Sequence, residues 1–347
     1  MINRWSIDFE RLAEMEERQM HRFARTSIAV LLSFYLPNCL AAQAGGSASN
    51  YPNKPIRIVV PYAPGGISDR LARLVGQELT AAWSQQVIVD NRPGAGTNLG
   101  SQLVAKSNPD GYTLLWAGIA NTVGPALYKD LPYEPLRDFA WVTNMAKVPV
   151  LVAAHRSFPV KNARQLIDLA KRQPEAIAFG TAGIATSGHL AGALFNTMAG
   201  VRLTHVPYRG AGPALIDALS GQVPLYFGAM ASPMQHVKSG RLNAIAVTTL
   251  KRSNALPEVQ TLHEQGLKGF EAATWYGVAA PTGTPKDIIS KINIEIVRII
   301  NLPQVRKGLE SEGADFVGDS PEEITAFVVQ EIEKWARVAK QAGLKAD

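Results

Sequence analysis

From Tyr51 onward, short apolar runs alternate with stretches whose apolar positions recur at helical spacing. Ile56, Ile58, Val59 and Val60 form a brief β-branched run, which predicts a buried strand and not a helix. Pro61 and Pro64 forbid helix beyond it, and Leu71, Ala72, Leu74, Val75 and Leu79 then trace one face of a helix. The same design recurs down the chain. Strands are predicted over 87–89, 112–116, 141–145, 149–154, 176–179, 203–206, 224–227, 244–248 and 275–280. Helices are predicted over 99–105, 163–172, 190–198, 213–220, 234–239, 287–300 and 321–342.

Strand-helix-strand alternation calls for an α/β fold with mostly parallel sheets and right-handed crossovers. We place one crossover between domains near 149–154 and a second in the strand at 275–280. Residues 51–151 with 276–347 then form a first domain and 152–275 a second, behind an upstream segment, 1–44. Both C-terminal helices return to the first domain. Two domains joined by two strands can close about a hinge.

Two loops look like ligand cradles. After the first strand, Gly65 and Gly66 permit positive φ and close backbone approach, and Ser68 or Asp69 can cap the following helix. The 180–189 loop, with Gly180, Thr181, Gly183, Thr186, Ser187 and His189, repeats this arrangement, with Thr186 or Ser187 as cap. A helix N-terminus at the carboxyl end of a strand is a natural anion site. The alternative is an ordinary strand-turn-helix connection. Tyr208 and Arg209 lie on a third loop, where they could meet an anionic ligand or simply face solvent.

Composition narrows the choice. Of 347 residues, 46% are hydrophobic and 18% charged, and the net charge of +6 is scattered along helices, so a nucleic-acid partner is not expected. Arg22 and Arg25 precede an apolar run over 27–36 and the small residues Ala41, Ala42 and Ala44, the pattern of a cleavable secretory signal peptide. We expect cleavage after Ala44 and translation from Met20. The sole cysteine, Cys39, lies inside that signal and follows Asn38, not a small residue, which argues against lipid attachment. Cleavage would leave no thiol for disulfides, metal binding or nucleophilic catalysis.

Enzyme signatures are missing. There is no phosphate loop, no G-x-S-x-G elbow, and His263-Glu264 lacks the second histidine of a zinc motif. Ser187 and His189 invite a nucleophile-base reading, as in a secreted α/β hydrolase, but two positions apart on a helix they point in different directions. His205, on a strand, reads as a satisfied core histidine. We therefore expect no catalytic residue, metal or cofactor.

The segments YPNKPIRIVVPYAPGGISDRLAR, DNRPGAGTNLG, NPDGYTLL, FGTAGIATSGHLAGALF, HVPYRGAGPALIDALSGQV and WYGVAAPTGTP occur in that order over 51–344. In this the chain resembles the Bug-type solute receptors of the tripartite tricarboxylate transporter family. The resemblance implies a two-domain periplasmic binding protein, type II-like, whose crossover strands act as a hinge. It would close on a small carboxylate and deliver it to the membrane components of a transporter. Matching ligand positions are Ala63, Pro64, Gly65, Gly66, Ser68, Asp69, Gly180, Thr181, Gly183, Thr186, Ser187, His189 and Tyr208. A role as a carboxylate sensor, presenting its closed form to a sensor kinase, is the alternative, and monomer is the default state. One departure stands out. Gly228 falls where the family often carries an acid, which argues against an ammonium-bearing ligand, widens that wall of the cleft, and predicts a carboxylate that is neutral or bulkier at its far end.

Overall fold

The computed structural model describes residues 50–311 and 313–345. The predicted signal peptide, Met20 and Cys39 lie outside the described residues. The described residues form a single compact unit. No helix among the described residues is long and apolar enough to cross a membrane.

Among the described residues, ten strands make one mixed sheet of two halves. In the first half, β1 (Ile56–Val60) lies between β2 (Val87–Asn91) and β3 (Thr113–Gly118), parallel to both. The predicted strands over 141–145 and 149–154 are one continuous strand, β4 (Phe139–His155), of 17 residues. Pro149 sits inside it, and neighbouring strands change around that point. The amino-terminal part of β4 pairs antiparallel with β9 (Ala273–Pro281) and with the short β10 (Asp315–Phe316). Its carboxyl-terminal part pairs antiparallel with β7 (Leu225–Ala229) and β8 (Leu242–Val247). Beyond β7, β5 (Ala178–Thr181) and β6 (Thr204–Pro207) are parallel again. The sheet is thus parallel on its flanks, where helices connect the strands, and antiparallel along the crossover strands.

Alternation along each strand sends side chains to two cores. Val59, Leu115, Val150 and Val152 enter one, and Ile58, Val60, Leu114, Trp116 and Leu151 the other. Both sheet faces are therefore covered, which is why the strands read as unbroken apolar runs.

The helices are α1 (Ile67–Trp83), α2 (Asn98–Ala105), α3 (Ile119–Leu127), α4 (Ala163–Arg172), α5 (Ser187–Ala199), α6 (Ala211–Ser220), α7 (Ala231–Lys238), α8 (Lys286–Ile300), α9 (Pro303–Ser311) and α10 (Pro321–Ala342). Helices α3 and α9 escape the sequence pattern. Gly124 and Pro125 favour a break, yet α3 runs through both, with Pro125 unable to donate back to the Asn121 carbonyl. α10 begins with a capping box between Ser320 and Glu323 and buries Ile324, Val328 and Trp335. It packs on α3 of the first half and α5 of the second.

Candidate functional site

Loops at the carboxyl ends of β1, β2, β3, β5 and β7 surround one open cavity of about 560 Å³. Ligands of open α/β sheets settle at these strand ends. Among the described residues, no side chain lining it carries a charge.

The first cradle is built by the turn between β1 and α1. Gly66, not Ser68 or Asp69, is the N-cap of α1, and no side chain caps it. The first-turn N–H groups are thus left to face the cavity. Ser68 lines the cavity with its Oγ buried and without a hydrogen-bond partner, and the residue is only 5% exposed. Asp69 lies behind the turn. Its Oδ2 accepts from the Gly65 N–H at 2.9 Å and its Oδ1 pairs with Arg73 at 2.9 Å. The Arg73 hydrogen bond is the main cause that holds the Asp69 carboxyl below its ordinary value, with Gly65 helping against the effect of burial.

The second cradle joins β5 to α5. Thr186 is the N-cap of α5, but its hydroxyl donates to the Gly183 carbonyl at 2.7 Å and leaves the helix end uncapped. Thr186, Ser187 and Gly188 line the cavity. Gly188 has to be glycine, because a Cβ there would overlap the Phe227 carbonyl of β7. Ala185 takes a left-handed φ of 60°, and its N–H donates to His189 Nδ1 at 3.1 Å. Such backbone persists only where its surroundings hold it.

The cavity lining brings together Ala63, Gly66, Ser68, Thr186, Ser187 and Gly228. Pro64, Gly65, Asp69, Gly180, Thr181, Gly183, His189 and Tyr208 do not line it. Several of these brace the cradles instead. Thr181 Oγ1 meets His205 Nε2 at 2.7 Å and accepts from the Gly183 N–H at 3.2 Å. Tyr208 packs over Gly180 and donates its hydroxyl to Asp217 at 2.6 Å. Burial first, then Asp217, pushes the Tyr208 hydroxyl up to about 12.

His189 turns away into a second cavity and stacks on His205, the rings 4.1 Å apart. Ser187 therefore faces one cavity and His189 another, which leaves the hydrolase reading without a dyad. Burial lowers the His189 imidazole; burial and the His189 ring lower His205 to about 4. Both rings are neutral near pH 7.

Gly228 corrects a further expectation. The wall there is not widened, because the Tyr226 side chain lies over Gly228 and fills the space a side chain at 228 would need. Sequence reasoning also missed the α3 stripe Ile119, Val123 and Leu127, and the turn residues Gly94, Gly96 and Thr97, all of which line the cavity. The stripe's four-residue spacing was the available signal.

The family described as "Tripartite tricarboxylate transporter family receptor" matches residues 71–344. The chain is 34% identical over 301 residues to Protein BugT of Bordetella pertussis, covering 86% of this chain and 92% of that protein. R. palustris Rpa4515, solved with adipate, has the same fold at TM-score 0.75 and 34% identity, over 85% of this chain and 100% of that one. MatC (Rpa3494) from Rhodopseudomonas palustris, solved with bound malate, superposes at TM-score 0.71 and 30% identity, over 83% of this chain and 99% of that one. With a match that runs from within α1 past the end of α10, the chain belongs to the receptors of the tripartite tricarboxylate transporter family, which are periplasmic solute-binding proteins and not enzymes.

Proposed function

We propose that the chain captures a small carboxylate in this cavity and delivers it to the membrane components of a tripartite tricarboxylate transporter. The observation that supports this reading is the meeting of two uncapped helix N-termini, those of α1 and α5, with the buried and unpartnered Ser68 hydroxyl on one charge-free cavity. Main-chain N–H groups and a hydroxyl suit an anion that must be released again. Relatives solved with adipate and malate support the same ligand chemistry.

In this reading 51–151 with 276–347 and 152–275 are the two bodies that close on the ligand. Ile184, on the rim of the second cradle, is 56% exposed and would be covered by closure. Uptake requires release, so we expect affinity in the micromolar range or tighter, about −8 kcal/mol or beyond.

A thermal-shift screen of mono-, di- and tricarboxylates tests the reading. A carboxylate that binds only the native state raises the melting temperature in proportion to the logarithm of its concentration. Gly66→Asp places a negative side chain at the α1 N-terminus and should abolish that shift. Gly66 has a φ of −77°, and an added Cβ finds only the Ala63 carbonyl at 3.9 Å, so the variant should fold. An unchanged shift in the folded variant would remove the first cradle from the site.

A further inference from the structure

Resting on the carboxylate reading above, we propose that Thr97, at the start of α2, belongs to a second oxyanion subsite, so that the ligand carries two acid groups, one held at Ser68 and the other at Thr97. Among the described residues, three hydroxyls are buried without a well-aligned hydrogen-bond partner, those of Ser68, Thr97 and Tyr226, and all three line this one cavity. A buried hydroxyl with no partner is costly, and a ligand that accepts from it removes the cost. Thr97 is only 6% exposed. Tyr133 lies close to it, but the Tyr133 hydroxyl donates to Asn98 Oδ1 at 3.5 Å and accepts from Asn121 Nδ2 at 3.3 Å. Nor does Thr97 cap the helix it begins, for α2, like α1, starts without a side-chain cap.

The positions of the two hydroxyls separate the groups they serve. α1 sends Leu71, Val75 and Leu79 into one core, and α2 sends Val104 into the other. The two helices therefore cover opposite faces of the sheet, and Ser68 and Thr97 reach the cavity from opposite sides of the strand ends. The α3 stripe of Ile119, Val123 and Leu127 lines the same cavity and suits a hydrocarbon link between two acid groups. Charge points the same way. Each helix N-terminus offers about half a positive charge, so α1, α2 and α5 together offer about one and a half, more than one carboxylate takes up. No Asp or Glu among the described residues lines the cavity to repel a second. Tyr226 adds a donor from the second half of the sheet, since burial pushes its hydroxyl up to about 12 and keeps it neutral.

Titration calorimetry of the purified chain tests the proposal with straight-chain diacids of four to eight carbons, the monoacids of the same lengths and the matching diamides. The best diacid is expected to bind at least tenfold more tightly than its monoacid. That ratio should fall at least fivefold in Thr97→Val, which removes the hydroxyl and keeps the branched shape, and should be retained in Thr97→Ser. No diacid exceeding its monoacid, or an unchanged ratio in the folded Thr97→Val variant, would overturn the second subsite and leave the carboxylate receptor standing. Diamides binding as tightly as diacids would overturn the carboxylate reading itself, and absence of binding by every probe at millimolar concentration would overturn both. The native-chain comparison decides the matter even if Thr97→Val does not fold.

Discussion

His189 and His205 show how a residue can brace a loop of the first cavity without lining that cavity. Their stacked rings lie behind the second cradle, and His189 Nδ1 holds the Ala185 N–H in place. Protonation would take away that acceptor. Both imidazoles sit below their ordinary value of 6.5, His205 at about 4, so the folded chain resists protons that the unfolded chain accepts. Above about pH 6.5 both states are neutral and the pair has no effect on stability. As pH falls from about 6.5 towards 4, stability should decline, and the melting temperature should decline with it. His205→Gln should flatten that slope; an equally steep slope in the variant would place the acid sensitivity elsewhere. Sequence spacing alone separates Ser187 from His189 on the helix, but it cannot show which cavity each one meets, because both sides of α5 border cavities.

At the scale of elements, most of the fold was legible because β-branched runs and helical stripes each carry one period. The Pro-Gly-Gly turn after β1 and the Gly/Thr/Ser turn after β5 could be read as cradles for the same reason. What could not be read depends on packing. Gly124 and Pro125 hid α3, and with it the apolar stripe of the cavity, while the space over Gly228 is decided by the rotamer of Tyr226. Side-chain caps form only where the side chain has no better partner. Thr186 bonds Gly183, whereas Ser320 accepts from the Glu323 N–H at 3.2 Å and Glu323 accepts from the Ser320 N–H at 2.8 Å. Ser320→Ala should cost about 1 kcal/mol of unfolding free energy. Urea denaturation measures it, and because α10 packs on both α3 and α5, the loss should appear as a lower midpoint of the whole transition with an unchanged slope.

The whole molecule is tied together by β4. Its two ends belong to different halves of the sheet, so neither half can come apart without stripping hydrogen bonds from a strand the other also uses. Scanning calorimetry should therefore show one transition, with the calorimetric and van't Hoff enthalpies in agreement. Two resolved peaks would mean that the halves melt separately and that β4 couples them weakly. The sequence pointed to the crossover but split β4 in two across 146–148; Pro149 is tolerated where β4 passes from one set of neighbours to the other.

The charge-free lining of the cavity has a consequence for how the receptor behaves in brine and in fresh water. Dissolved electrolyte screens charges that reach each other through solvent, over about 8 Å at physiological ionic strength, but has little hold on dipoles enclosed by protein. The chain's net charge of +6 can hasten the approach of an anion, and added salt would slow that approach. Once the anion rests on buried N–H groups and hydroxyls, its escape is governed by dipoles that mobile ions do not reach. Salinity should thus alter how quickly the receptor fills far more than how long it stays filled.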